Sequence, residues 1–158
     1  LDDNMRTFRD HGVVGMFRGQ FEHAVDGKGR LSVPAKFRQV LGDERTLVLT
    51  CWNSHLAASP LSVWRGLEER IRRNPSFKGE TRDFLRFVYS SAEDVEIDSQ
   101  GRVLIPQSLR QRAGIVKDVV LIGVMDEIEI WDKARWAAKL ATAPPPEELA
   151  ARLGELGI

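Results

Sequence analysis

The sequence predicts an α+β fold made of two tandem copies of one unit, in which short strands alternate with short helices. The first observation is a nine-residue pattern that starts at Asp26 and recurs at Asp98, 72 residues later. The second observation is the punctuation that follows the pattern. In both copies, a proline suited to a helix start and a glycine suited to a left-handed helix exit enclose about two turns of helix.

The similarity between the two copies extends beyond this pattern. Residues 26–34 read Asp-Gly-Lys-Gly-Arg-Leu-Ser-Val-Pro, and residues 98–106 read Asp-Ser-Gln-Gly-Arg-Val-Leu-Ile-Pro. The same offset aligns further pairs: Phe37 with Leu109, Arg38 with Arg110, Gly42 with Gly114, Leu49 with Leu121 and Trp64 with Trp136. A unit of about 55–60 residues is marginal for independent folding, so we expect the two copies to stabilise each other.

The expected elements follow the same order in both copies. A strand (21–25 and 97–98) leads into a glycine turn and a short return strand (30–33 and 102–105), which precedes the short helix. β-branched residues favour buried strands at 46–51 and 119–124. Helices are expected at 61–73 and 133–141, at 81–90 between the copies, and after the prolines at 144–146. Trp64 and Trp136, at matching positions on helices, are interpreted as equivalent core anchors.

These elements divide the chain into four parts. Residues 1–15 are polar, lack periodicity and precede Met16 and Phe17, which resemble a natural start, so we treat them as a flexible extension. The first repeat with its following helices covers residues 16–89, and the second repeat covers residues 90–141. Residues 142–158 are a C-terminal tail.

Composition limits the classes of function. Of 158 residues, 42% are hydrophobic and 29% are charged, which is typical of a globular protein. The formal net charge is +0, so a case for nucleic-acid binding has to rest on the local distribution of charge. The single cysteine, Cys51, excludes an internal disulfide and suits a reducing cytoplasm. No stretch approaches the roughly 20 apolar residues of a membrane span and no leader peptide is recognisable, so no membrane partner is expected.

The repeated Asp-x-x-x-Arg pattern carries the candidate chemistry. It places Asp26 and Arg30, and likewise Asp98 and Arg102, at opposite ends of a tight turn. A carboxylate repels phosphate, so we interpret the aspartates as side chains that clamp the turn and orient the arginines. A guanidinium can share a carboxylate while its remaining donors face a phosphate or a guanine edge. The pattern therefore favours DNA binding through the arginines.

The local charge differs between the two copies. The window 18–38 has a net charge of +3, whereas the equivalent window 90–110 has −2. The first window sets Arg18, Lys28, Arg30, Lys36 and Arg38 against Glu22 and Asp26. The second sets Arg102 and Arg110 against Glu93, Asp94, Glu96 and Asp98. We therefore expect the first copy to face DNA and the second mainly to support it or to mediate assembly.

These residues resemble the MraZ family of bacterial transcriptional regulators. The resemblance runs from residue 16 to about residue 140 and rests on both Asp-x-x-x-Arg motifs and on the runs 28–38, 100–106 and 129–133. The extension before Met16 and the tail after Pro146 are interpreted as departures from the family's typical pattern.

The resemblance implies two tandem swapped-hairpin units of the AbrB-like fold, packed as a pseudo-symmetric double barrel. It implies a cytoplasmic, nucleoid-associated regulator that binds double-stranded DNA at short direct repeats in the promoter of the division and cell-wall gene cluster, where we expect repression. It also implies a ring-like homo-oligomer, whose weak basic patches act together. No cofactor, metal or small-molecule substrate is expected. The candidate DNA-binding residues are Arg30, Lys28, Arg18, Lys36, Arg38 and Arg102, with Asp26 and Asp98 as orienting side chains.

Two other classes of function fit the sequence less well. For an enzyme, the three histidines His11, His23 and His55 lie far apart in the sequence. Ser32 has no nucleophile-elbow context, and the residues around Lys28 lack the flanks of a phosphate-binding loop. A protein-interaction module such as an antitoxin can use a similar swapped hairpin, but it usually has one unit and a long disordered tail. The antitoxin-like module is kept as the alternative to a DNA-binding regulator.

Overall fold

The backbone alternates between strands and short helices in the same order in both copies. The computed structural model describes residues 16–74 and 80–158, so the predicted extension at 1–15 lies outside the described residues. The elements are β1 (Phe17–Ala24), β2 (Arg30–Ser32), α1 (Ala35–Leu41), β3 (Thr46–Trp52), β4 (His55–Pro60), α2 (Leu61–Arg72), α3 (Glu80–Ser91), β5 (Glu93–Glu96), β6 (Arg102–Leu104), α4 (Gln107–Arg112), β7 (Asp118–Met125), β8 (Glu127–Asp132), α5 (Lys133–Thr142) and α6 (Pro146–Glu155).

The two copies are joined by strand exchange. Across the described residues, one antiparallel sheet has the order β1-β7-β8-β4-β3-β5, and β2 pairs with β6 in a separate two-stranded ribbon. Thus β1 of the first copy pairs with β7 of the second, and β5 of the second pairs with β3 of the first. Ala57 lies opposite Glu129 at the sheet centre, and Leu31 lies opposite Val103 in the ribbon. Both pairs are separated by the repeat offset, so a pseudo-twofold axis relates the copies.

The predicted α+β fold of two tandem swapped-hairpin units is therefore confirmed. The packing that we expect as a double barrel is observed as a six-stranded sheet and a two-stranded ribbon, and residues of both contribute to one apolar core. That core includes Leu31 and Val103 from the ribbon and Leu49 and Leu121 from the sheet. Because side chains of both copies fill it together, this core belongs to neither copy alone.

The strands after the glycine turns occur where the sequence predicts them, but they do not return onto the strands that precede the turns. A backbone hydrogen bond of 3.0 Å from Asp26 N–H to the Arg30 carbonyl closes the base of the first turn. Beyond this point β2 diverges from β1 and pairs with β6. The turn therefore redirects the chain toward the other copy, as in a swapped hairpin.

The helix punctuation is confirmed with a shift of one residue at the start. Pro34 and Pro106 are the N-cap residues of α1 and α4 rather than their first helical residues, since their ψ angles are 141° and 140°. Gly42 and Gly114 follow these helices with φ angles of 60° and 62°, in the left-handed region that glycine tolerates best. The longer helices are also confirmed within one residue at each end, since helices predicted at 61–73, 81–90 and 133–141 are α2 (Leu61–Arg72), α3 (Glu80–Ser91) and α5 (Lys133–Thr142).

The sequence did not predict β4 and β8, the two central strands. The sequence His-Leu-Ala-Ala-Ser-Pro of β4 contains no β-branched residue, so strand propensity is weak there. Ala57 and Ala58 are 1% exposed, because the neighbouring strands β3 and β8 flank β4 on both sides. Position within the sheet, and not local propensity, makes this segment a strand.

The interpretation of the paired tryptophans is correct for only one of them. Trp64 is buried on the outer face of the sheet, in a cluster with Val48 and Val88, because α3 covers it there. Trp136 is only half-buried and lies with its ring centroid 5.4 Å from that of Trp131. Its indole Nε1 is buried without a hydrogen-bond partner among the described residues. Equivalent sequence positions therefore have unequal surroundings.

The tail forms the expected helix, α6, which starts at Pro146. Its apolar side chains Leu149 and Leu153 are 41% and 47% exposed. None of the helices in the described part of the chain is long and apolar enough to cross a membrane.

Removing a core side chain of the ribbon should destabilise both copies at once. Ile105 is 0% exposed, and truncation of such a residue to alanine costs about 2–5 kcal/mol. We expect Ile105→Ala to lower the free energy of unfolding by this amount in urea denaturation, with a single transition because the core is shared. The neighbouring Leu104 is 57% exposed, so Leu104→Ala is the control and should change stability by less than about 0.5 kcal/mol. Two separate transitions would mean that the copies fold independently.

Candidate nucleic-acid interface

The first glycine turn is built around the carboxylate of Asp26. Its Oδ1 accepts the backbone N–H groups of Lys28 and Arg30, both at 2.9 Å. Its Oδ2 accepts the Nε–H of the Arg30 side chain at 2.7 Å. The guanidinium of Arg30 is therefore held by one edge. Its two terminal nitrogens form no hydrogen bond with the described residues and remain available as donors.

The second turn repeats this arrangement. Oδ1 of Asp98 accepts the backbone N–H groups of Gln100 at 2.8 Å and Arg102 at 2.9 Å. Its Oδ2 accepts the Nε–H of Arg102 at 3.2 Å. The side chains of Arg30 and Arg102 are 33% and 26% exposed, so each is partly supported by the protein and partly open to solvent. The expectation that the aspartates orient the arginines agrees with this geometry.

Hydrogen bonding keeps both turn carboxylates ionised. The backbone N–H of Arg30, assisted by that residue's side chain and by the Lys28 N–H, lowers the pKa of Asp26 to about 2 against an opposing desolvation effect. The backbone N–H of Arg102 is likewise the main cause that lowers the pKa of Asp98. Both aspartates are thus negatively charged at any physiological pH, and their partner arginines stay anchored.

The two turns lie at opposite ends of the short antiparallel ribbon. The ribbon directs Leu31 and Val103 into the core, which leaves the residues on either side of them facing outward. In the antiparallel register Arg30 lies opposite Leu104, and Arg102 lies opposite Ser32. The outer face of the ribbon therefore presents two arginines, one from each copy, related by the pseudo-twofold axis.

Each turn also receives an arginine from the other copy. The Nε–H of Arg38, on α1, donates to the Val33 carbonyl at 3.1 Å, and its guanidinium lies against Gly101. Reciprocally, the Nε–H of Arg110, on α4, donates to the Ile105 carbonyl at 3.1 Å. A Cβ atom placed on Gly29 would lie 3.0 Å from Cζ of Arg110. Both turns are therefore composite structures.

The glycine at the turn meets two requirements at once. Gly29 has a φ of 85°, a conformation that other residues rarely adopt, and its missing side chain leaves room for the arginine that crosses from the other copy. Any larger residue there would strain the turn and displace Arg110.

The structure places most of the predicted site residues together. Arg30 and Arg102 lie on the ribbon, and Arg38 lies against the second glycine turn. Lys28 is exposed in the first glycine turn, and Lys36 is exposed at the start of helix α1. Arg18 is the exception. It lies near the start of β1, opposite Val124, about 20 Å along the strand from Ala24 at the end nearer the turn.

Arg110 is the residue that the site prediction omitted. The sequence contained a signal for it, since the repeat offset aligns it with Arg38. With Arg110 included, the two turns and the helices that follow them carry seven basic side chains against the two turn aspartates. These are Lys28, Arg30, Lys36, Arg38, Arg102, Arg110 and Arg112, against Asp26 and Asp98. A protein without net charge thus has a basic face.

The difference in net charge between the two copies is smaller around the turns than in the sequence windows 18–38 and 90–110. The acidic residues Glu93, Asp94 and Glu96 of the second window are exposed on β5, an edge strand of the large sheet. In the turns and the helices that follow them, the charge differs at three positions, where Gln100 stands for Lys28, Ser108 for Lys36 and Arg112 for Val40.

The described residues contain no group of three His, Cys, Asp or Glu side chains that could hold a metal ion. His55 has a structural environment, since its ring stacks on Trp131 at a centroid distance of 4.4 Å and its Nε2 lies 3.4 Å from Glu129. His11 lies outside the described residues.

Acid titration tests the hydrogen bonding of the first turn. The folded-state pKa of Asp26 lies below the ordinary value of 3.8, so the stabilisation from its ionised form is present above about pH 4 and is lost as the pH falls through about 2. We expect carbon NMR of the Asp26 carboxyl group to give a midpoint of about 2, with Asp26→Asn to assign the resonance. A midpoint at 3.8 in folded protein would contradict this network.

Comparisons with known proteins agree with the two-unit architecture. A protein-family model described as "MraZ protein, putative antitoxin-like" matches residues 16–87 and again residues 88–153. The Transcriptional regulator MraZ of Acetivibrio thermocellus is 41% identical over 144 residues, which are 90% of this chain and 100% of that protein. The protein of the same name from Desulfitobacterium hafniense is 47% identical over 122 residues, 77% of this chain and 85% of the relative. That of Clostridium beijerinckii is 41% identical over 143 residues, 90% and 100% of the two chains.

The comparisons also correct one expectation about the tail. The second match of the family model continues to residue 153 and includes most of α6, so this helix does not depart from the family's pattern. The family model matches both repeats, and a relative is 41% identical along its whole length. The chain therefore belongs to the MraZ family.

Proposed function

We propose that this protein is a sequence-specific DNA-binding transcriptional regulator, and that the ribbon with its two glycine turns is its DNA-binding face. The observation that carries the proposal is the pair of aspartate–arginine networks, which hold Arg30 and Arg102 by one edge and leave their terminal donors without a partner among the described residues. The relatives' shared name, Transcriptional regulator MraZ, supports the same function.

In this proposal the basic residues have different roles. Arg30 and Arg102 face base edges, because a fixed guanidinium suits the O6 and N7 acceptors of guanine. Lys28, Lys36 and Arg38 contact phosphates, and so does Arg110, which lies against the first turn. Arg18 contacts the DNA backbone outside the stretch that the ribbon covers. Asp26 and Asp98 touch no DNA and fix the arginines in place.

The proposal extends to assembly and target. The units at 16–89 and 90–141 form one DNA-binding body, and several such bodies form a ring-like homo-oligomer on short direct repeats. Exposed apolar side chains on α3 and α6, among them Phe84, Phe87 and Leu149, are available for contacts between copies. The target is the promoter of the division and cell-wall gene cluster, where binding represses transcription. The protein then acts without catalysis, in the cytoplasm and on the nucleoid.

An antitoxin-like protein-interaction module is the second candidate. It is favoured by the description of the matching family as antitoxin-like. In that case the basic face would bind a protein partner instead of phosphates. Few counterions would be released, so the binding constant would depend little on the salt concentration.

Arginine substitutions test the DNA-binding face. We expect Arg30→Ala to weaken binding to a duplex from upstream of the protein's own gene by about 1–3 kcal/mol, as measured by fluorescence anisotropy. Arg102→Ala should cause a smaller loss, because Lys28 lies in the same turn as Arg30, whereas the equivalent residue beside Arg102 is the uncharged Gln100. Arg86→Ala is the control, since Arg86 is an exposed arginine on α3, the helix on the outer face of the sheet. Equal losses for Arg30 and Arg102 would contradict the asymmetry, and unchanged binding by Arg30→Ala would remove that residue from the interface.

Salt dependence separates phosphate contacts from a protein interface. The logarithm of the binding constant should fall steeply and linearly with the logarithm of the salt concentration. Lys36→Ala should reduce the slope by about one, because one phosphate contact is lost. Lys139→Ala on α5 removes the same charge elsewhere and should leave the slope unchanged. A flat profile for the unmodified protein would instead favour the protein-interaction module.

A further inference from the structure

An exposed leucine lies at the centre of the basic face. Leu104 is 57% exposed, although its neighbours Val103 and Ile105 are buried in the core. In the ribbon register it lies directly opposite Arg30. A polar residue at position 104 would not disturb the core, yet the residue there is apolar. It lies beside Arg30, which is closer to its aspartate than Arg102 is.

The pseudo-twofold axis provides an internal comparison for this position. The residue equivalent to Leu104 in the first copy is Ser32, which is also exposed and lies opposite Arg102. The same backbone position accepts a hydroxyl in one copy, so the fold does not require an apolar residue there. The outer face of the ribbon therefore pairs arginine with leucine on one side of the axis and arginine with serine on the other.

The geometry of B-form DNA suggests what the leucine meets. The major groove admits a two-stranded β-ribbon, and the C5 methyl group of thymine is the apolar feature among its base edges. Opposed side chains in an antiparallel pair are about 4.5–5.5 Å apart at Cβ. Base pairs follow one another every 3.4 Å or so along each strand. A ribbon that places Arg30 on a guanine therefore brings Leu104 to a neighbouring base pair.

We propose that Leu104 packs against the C5 methyl group of a thymine next to the base that Arg30 contacts, and that Ser32 makes no such apolar contact. This inference rests on the proposed DNA-binding face. It also predicts the orientation of the protein on DNA. A unit with two identical halves would bind a site equally well in either orientation, whereas the difference between Leu104 and Ser32 favours one orientation. Repeated sites that all point the same way then give every bound unit the same orientation.

Replacement of thymine by deoxyuridine tests the contact, because it removes only the methyl group. Duplexes that the full chain selects from a random library are the probes, and each thymine is replaced in turn. We expect one position at which the replacement weakens binding about four-fold, the effect of one buried methyl group. Leu104→Ser should abolish the difference between thymine and deoxyuridine there. Ser32→Leu should create a second sensitive position, related to the first by the pseudo-twofold axis.

The possible failures are distinguishable. If the library yields no bound duplex, the proposed DNA-binding function is wrong and the leucine contact falls with it. If duplexes are bound in a way that depends on Arg30 but no thymine is sensitive to demethylation, the DNA-binding face stands and the leucine contact is wrong. A variant Leu104→Ser that keeps the thymine preference but changes the sedimentation of the free protein would assign the leucine to contacts between copies and would also overturn the inference.

Discussion

Two main-chain hydrogen bonds between the copies determine where the functional side chains of the two glycine turns lie. Val33 N–H donates to the carbonyl of Gly101 at 2.8 Å, and Ile105 N–H donates to the carbonyl of Gly29 at 2.9 Å. Both donors belong to buried residues, for which an unpaired N–H is costly. Each glycine turn is therefore tied to the strand end of the opposite copy. The placement of the arginines on one face follows from this mutual attachment.

Because of this attachment, we expect each turn to tolerate few substitutions at its aspartate, at its arginine and at the glycine before that arginine. A turn at Gly29 has to adopt a left-handed conformation, accept a hydrogen bond from the other copy and leave space for Arg110. The carboxylate of Asp26 adds three hydrogen bonds within the same five residues. Since all these contacts share one short segment, a change in any of them alters the position of the guanidinium groups.

Local signals in the sequence predicted those parts of the fold that depend on local chemistry. Glycine, proline and the repeat offset located the turns, the short helices and the aspartate–arginine networks. They did not identify β4, whose alanines form a strand only because its neighbours enclose it. They also did not show that Arg110 reaches the first turn or that Arg18 lies far from it, since both facts depend on which copy each strand pairs with. The strand exchange was expected from family resemblance, and not from the residues themselves.

The ribbon joins two pseudo-equivalent halves that belong to one polypeptide. In a fold of this kind built from two separate chains, dilution would separate the paired strands and with them the proposed DNA-binding face. Here β2 and β6 are connected by the intervening chain, so their encounter is intramolecular and independent of protein concentration. Because both halves are encoded in one chain, their sequences can differ, as they do at the equivalent positions Ser32 and Leu104. A single chain can thus keep the ribbon paired at low protein concentration, with two halves that differ in sequence.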